Sequence, residues 1–237
     1  ILAFSRYTDR TFLRHHAVQE MLFHTGAADY YLERGGRDIW RPLTTLWVDL
    51  TRQMYVTGAV GSYHDFERFG KPYDLTNQRT YAETCATISN FFWNWRMFLA
   101  TGDARFVDVM ERALYNGILV SPALNGHEYF YVCPLEVRKY RQKEGYNPTA
   151  HSLEGKISNH WYWDVRRQER QNCSCCPPNV QRFFASLEQY VYSVGEDTLW
   201  VNLFTESEMR HTFADGATVE VHQITDFPVT GNILLEV

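Results

Sequence analysis

The chain has 237 residues, 45% hydrophobic and 22% charged, a balance ordinary for a soluble globular protein and long enough for one large domain. Its net charge of −5 comes without a basic block, which argues against a nucleic-acid partner, because neutralising phosphates takes clustered Lys and Arg. No apolar run reaches the ~18 residues of a membrane-spanning helix, so no membrane partner is expected.

In chain order, the sequence opens Ile1-Leu2-Ala3 without an initiator Met and reads as a processed product or a fragment. Ala17 to Tyr31 reads as a first helix. Trp40, Leu43, Trp47, Leu50 and Met54 recur at steps of three and four, one face of a second helix. Pro42 is acceptable only in that helix's first turn. Cys85, Ile88, Phe92, Trp95 and Leu99 repeat the pattern, and Gly102 suits the C-terminus of this third helix. Asp103 can cap a fourth, whose stripe is Phe106, Val107, Met110, Ala113 and Leu114. Val180, Phe184, Leu187 and Val191 form a further amphipathic stretch, opened by Pro177-Pro178.

After Ser193 the texture changes. Leu199 to Phe204, Thr218 to His222 and Asn232 to Val237 read as strands, punctuated by Gly195, Asp215-Gly216 and Gly231. The chain is therefore mainly α, with residues 1–195 helical and residues 196–237 opening a β domain. Helix pairs with short turns suggest an α/α toroid, although about five helices are far fewer than a closed barrel of six pairs requires. The 15 Tyr, 15 Phe and 7 Trp suit either a large aromatic core or a concave surface on which sugar C–H faces stack.

Three of the five cysteines crowd into Cys173-Ser174-Cys175-Cys176, and Glu83-Thr84-Cys85 lies roughly ninety residues upstream. A disulfide between sequence neighbours is strained, so a metal gathered by thiolates and a carboxylate is the simpler account. Glu83, Cys85, Cys175 and Cys176 offer the four ligands a zinc usually takes. Both pairs sit at helix starts, where the helix dipole favours thiolate. Cys133 reads as a core residue, and Cys173 as a spare ligand of lower weight. The odd cysteine count and the clustering argue against a secreted disulfide framework, which favours a cytoplasmic over a secreted protein.

The glycine-bracketed loop Gly61 to Gly70 carries His64, Asp65 and Glu67, and Glu67 suits a general acid with a pKa raised by burial. Glu111 falls on the face of Val107 and Leu114, so it must be paired or face a cavity. His16 by itself reads as a hydrogen-bonded core or surface histidine.

Thr80-Tyr81-Ala82-Glu83-Thr84-Cys85-Ala86, Val109 to Gly117 and Cys175-Cys176-Pro177-Pro178-Asn179 together resemble glycoside hydrolase family 127, the β-L-arabinofuranosidase family. Phe130 to Glu136 fits too, although the family more often has Asn where Cys133 stands. The resemblance runs in order from about His16 to about Tyr192. It implies an (α/α)6 barrel, here its C-terminal portion, followed by the start of a β-sandwich. It also implies a zinc held by Glu83, Cys85, Cys175 and Cys176, and retaining cleavage of terminal β-L-arabinofuranosides. By motif position Cys175 matches the nucleophile and Glu67 the acid/base. Glu111, Tyr131 and His16, or His15 if the match slips by one, fall at sugar contacts. The implied partner is a carbohydrate substrate, with a second copy of the chain as a further candidate. The rivals are a non-catalytic, zinc-stapled domain that binds carbohydrate or supports a neighbour, and another α/α-toroid sugar enzyme working through His or Asp. The vicinal thiols count against the second.

Overall fold

A computed structural model describes residues 7–77, 80–133, 135–136, 166–170 and 173–237. Ile1-Leu2-Ala3 and Pro134 lie outside the described residues. The chain divides into two compact units, Ile1–Gln181 and Arg182–Val237.

The first unit is helical. α1 spans Ala17–Arg34, α2 Arg37–Thr51, α3 Thr84–Thr101 and α4 Ala104–Ala113; α5, Cys176–Ala185, begins at its end. α3 is the central element and packs against both α1 and α4. Every residue from Thr84 to Asn94 is buried, which is what an all-round buried helix requires of its polar residues: internal partners. Asn90 donates to the Gly58 carbonyl at 2.9 Å, Asn94 accepts from the Trp47 indole at 2.8 Å, and Ser89 donates to the Cys85 carbonyl at 2.7 Å. The expected stripe holds for Cys85, Ile88 and Phe92, but towards the end of α3 the buried residues are Met97 and Phe98, while Trp95 is only half-buried and Leu99 is exposed. Gly102 closes α3 in the left-handed conformation (φ 68°), and Asp103 caps α4 by accepting from the Arg105 amide at 3.0 Å.

Two expectations are corrected here. α2 starts at Arg37, so Pro42 lies beyond its first turn, inside the helix and buried, and Met54 lies outside it. Burial of the proline ring beside Ile39, Leu43 and Leu46 offsets the one missing backbone hydrogen bond. In α4 the buried face is Phe106, Val109, Met110 and Ala113, which leaves Val107 and Glu111 at its half-buried edge.

In the second unit the helical stretch breaks at Ser186 into a single 3₁₀ turn, Leu187–Tyr190. The buried aromatic is Phe183, stacked on Tyr190 at 6.3 Å, and not Phe184. β1 (Tyr192–Val194) pairs antiparallel with β2 (Leu199–Val201). The expected strand to Phe204 stops at Val201, because the Asn202 and Leu203 amides turn back to the Val191 carbonyl. β3 (Ser207–Thr212), β4 (Thr218–Thr225) and β5 (Ile233–Glu236) form an antiparallel sheet in that order. β1 and β3 were not legible as strands. β3 reads Ser-Glu-Met-Arg-His-Thr, an edge strand with neither face deeply buried, so little apolar alternation marks it.

Candidate active site

Two helix N-termini and one hairpin-like pairing assemble the site. Glu83 is the N-cap of α3, yet its side chain makes no capping bond and lies instead against the Cys175 and Cys176 sulfurs. Cys85 sits in the first turn of α3, and Cys176 is the first residue of α5. The segment before α3 runs antiparallel to residues 131–133: the Thr84 amide donates to the Tyr131 carbonyl at 3.0 Å, and Glu83 bridges Val132. This pairing puts Tyr81, Glu83 and Tyr131 beside one another.

Glu83, Cys85, Cys175 and Cys176 offer ligand atoms that all lie within 4.8 Å of each other, and all the thiols are free. The Cys85 and Cys176 sulfurs are 3.4 Å apart, and those of Cys175 and Cys176 are 3.8 Å apart. Glu83 Oε1 lies 3.5 Å from the Cys175 sulfur and 3.7 Å from that of Cys176. Two thiolates each about 2.3 Å from a tetrahedral zinc stand about 3.8 Å apart, so the spacing suits such an ion. Glu83 Oε2 supplies the stronger sign: it is buried and has no hydrogen-bond partner among the described residues. Cys173 is exposed and outside the cluster; Cys133 is a buried core thiol whose pKa burial pushes up to about 11.

The electrostatics point the same way. Burial, then the neighbouring Cys175, pushes Glu83 well above the usual carboxylate range. Hydrogen bonding with Cys175 and Cys176 holds Cys85 down at about 6, while burial pushes Cys176 far up. Cys175 gains from a hydrogen bond with Cys176, but its bond to Cys85, burial and the Cys85 charge carry it above the usual thiol range. Four acidic groups this close do not ionise together unless a cation neutralises them. The Glu/Cys cluster could bind a metal ion, and its donor set fits zinc.

Glu67 stands at the other side of Glu83: a His16 ring nitrogen and a carboxylate oxygen from each of Glu67 and Glu83 also lie within 4.8 Å of one another. Glu67 Oε1 accepts from the Tyr81 hydroxyl at 2.7 Å and the Tyr131 hydroxyl at 3.0 Å, and Oε2 lies 2.5 Å from His16 Nε2. Burial alone would raise this carboxyl, but His16 and the two tyrosines outweigh it and hold the pKa below the usual value. That reverses the direction expected from burial. His15 is exposed, and His16 is the histidine that reaches Glu67. Tyr131 also hydrogen-bonds Cys175, linking the two halves of the site.

Glu111 joins neither ligand group among the described residues. Its pKa is raised by burial and then by Asp108, and that of Tyr115 is raised by burial and then by Glu111. Tyr81 was missed as a functional residue. Its only sequence signal was its place two residues before Glu83.

A family model described as the catalytic domain of GH127 β-L-arabinofuranosidase matches residues 6–189. A non-reducing end β-L-arabinofuranosidase of Bifidobacterium longum subsp. longum is 33% identical over 222 residues, 92% of this chain and 31% of that protein. The crystal structure of a GH127 β-L-arabinofuranosidase from Geobacillus stearothermophilus T6 superposes with a TM-score of 0.84 at 35% identity, over 97% of this chain and 34% of that one. A second solved GH127 β-arabinofuranosidase gives a TM-score of 0.82 at 32% identity, over 97% of this chain and 32% of that one. The chain thus spans about a third of the length of these relatives.

Proposed function

Because the chain belongs to the GH127 β-L-arabinofuranosidase catalytic-domain family, we propose that it carries the reaction centre of a retaining glycosidase acting on terminal β-L-arabinofuranosides or a closely related sugar. On this reading residues 1–195 are the C-terminal portion of an (α/α)6 barrel, and residues 196–237 begin a β-sandwich domain. The observation that carries it is the thiol cluster joined through Glu83 and Tyr131 to the hydrogen-bonded Glu67.

Zinc held by Glu83, Cys85, Cys175 and Cys176 would supply the positive charge that keeps these thiols ionised at neutral pH. Cys175 is the nucleophile. It is the less buried member of the vicinal pair, so a sugar can reach it, whereas Cys176 is fully enclosed. Its sulfur attacks the anomeric carbon as the glycosidic bond breaks, and Glu67 protonates the departing oxygen. Water, deprotonated by Glu67, then displaces the sulfur and restores the starting configuration.

Glu67 has to alternate between acid and base, and its partners suit that task. In the free protein His16, Tyr81 and Tyr131 favour its ionised form. A sugar oxygen arriving at Glu67 displaces part of that bonding and moves its pKa upward, toward an acid. His16 Nε2 lies 2.5 Å from Oε2, within hydrogen-bonding reach of the carboxyl that exchanges the proton. Tyr131, Glu111 and His16 hold substrate hydroxyls and orient the ring.

Replacing Cys175 with Ser in the full-length protein tests the reading. Turnover of a β-L-arabinofuranoside is expected to fall by at least about a thousandfold. Unchanged kinetics would remove Cys175 from the mechanism.

A further inference from the structure

Phe66, the residue before Glu67, is 79% exposed, and its backbone is left-handed (φ 54°, ψ 20°). Glu67 follows with φ 53°, so two consecutive side-chain-bearing residues occupy a conformation that favours glycine. The loop is pinned around them: the Tyr63 and Arg68 backbones exchange hydrogen bonds at 3.2 and 3.1 Å, and Tyr63 donates to Asp74 at 2.5 Å. This turn sends Glu67 inward to Tyr81 and Tyr131 and leaves the Phe66 ring in water. A glycine would make the same turn without strain and without exposing a large apolar side chain. Phenylalanine at this position gains only from whatever covers its ring.

The geometry points to Phe66 as a leaving-group subsite, in which the ring stacks on the apolar C–H face of the sugar released when the glycosidic bond breaks. The inference rests on the glycosidase reading with Glu67 as acid. The acid must touch the glycosidic oxygen, and adjacent Cα atoms are only about 3.8 Å apart, so Phe66 stands within a side chain's reach of the leaving group. The groups proposed to hold the glycosyl ring, His16 and Tyr131, are polar and turned inward with Glu67. The exposed ring is therefore matched to the part of the substrate that leaves toward solvent. A sugar is amphipathic, and its C–H face is the surface an isolated aromatic ring recognises.

The test compares two β-L-arabinofuranosides in the full-length protein, a methyl glycoside and a disaccharide, for the parent, Phe66→Gly and Phe66→Trp. Phe66→Gly is expected to raise KM for the disaccharide about fivefold to tenfold, leave the methyl glycoside within about twofold, and keep Tm within about 3 °C of the parent. Phe66→Trp is expected to retain parental KM for the disaccharide. Equal effects on both substrates, or none on either, overturn the subsite. So does a larger fall in Tm with unchanged KM, which would make the ring a packing residue. Turnover of neither substrate by the parent overturns the glycosidase reading and the subsite with it; turnover by the parent with equal variant effects overturns the subsite alone.

Discussion

Glu20 shows how a residue remote from the chemistry sets the site. It is 2% exposed, and it binds Arg10 Nη2 through both oxygens at 2.5 and 2.7 Å. It also lies 3.2 Å from His24 and accepts from the His15 amide at 3.3 Å, which anchors the segment that carries His16 to Glu67. Burial would raise Glu20, but His24 and Arg10 hold its pKa down at about 2, and burial lowers the pKa of His24 against the pull of Glu20. A depressed carboxylate contributes stability that is complete above its unfolded value of 4.5 and is lost as pH falls toward about 2. For His24 the unfolded chain takes up a proton the fold refuses, so stability also declines as pH drops below 6.5. Glu20→Gln is expected to cost about 3 kcal/mol at pH 7 and to flatten the loss below pH 4.5. Urea midpoints from pH 7 to pH 3 read this out; parallel pH curves for variant and parent would refute it.

Among the elements, α3 is the one every other part of the site refers to, and its contacts with its surroundings are close enough to be tested. Gly58 is left-handed (φ 80°), and a Cβ there would lie 2.7 Å from the Ala113 amide nitrogen at the end of α4. Its carbonyl meanwhile holds Asn90 of α3. Gly102 is also left-handed (φ 68°), but a Cβ there meets nothing within 4 Å. Gly102→Ala is expected to cost about 1 kcal/mol, the conformational term alone. Gly58→Ala carries the same term plus a backbone clash, and about 2 kcal/mol or more is expected. Equal Tm shifts for the two variants would show that the loop yields without cost.

At the scale of the whole molecule, the cluster joins the start of α3 to the start of α5 across roughly ninety residues of sequence. A metal there neutralises buried groups and closes a long loop, so its removal should be felt as stability and not only as activity. The chain is expected to hold about one zinc, and chelation is expected to lower the Tm of the helical unit by several degrees. A metal-free sample that melts at the same temperature before and after chelation would count against the cluster. No helix among the described residues is long and apolar enough to cross a membrane.

Sequence by itself pointed to the candidate ligand group, to helix starts near Glu83-Cys85 and Cys175-Cys176 and to the stop at Gly102, because each is written in residue type and short spacing: vicinal thiols, a cap, a glycine, a period of three to four. It was weaker wherever a third element decides. The polar face of α3 is buried because neighbours supply hydrogen-bond partners, Phe183 is buried in place of Phe184, and β3 is held as a polar edge by its pairing with β4. Only the tertiary structure brought Tyr81, Tyr131 and His16 onto one carboxylate and turned its pKa downward, since those partners come from positions 16, 81 and 131. A pKa is set by what surrounds a group in space, and no local pattern in the chain carries that information.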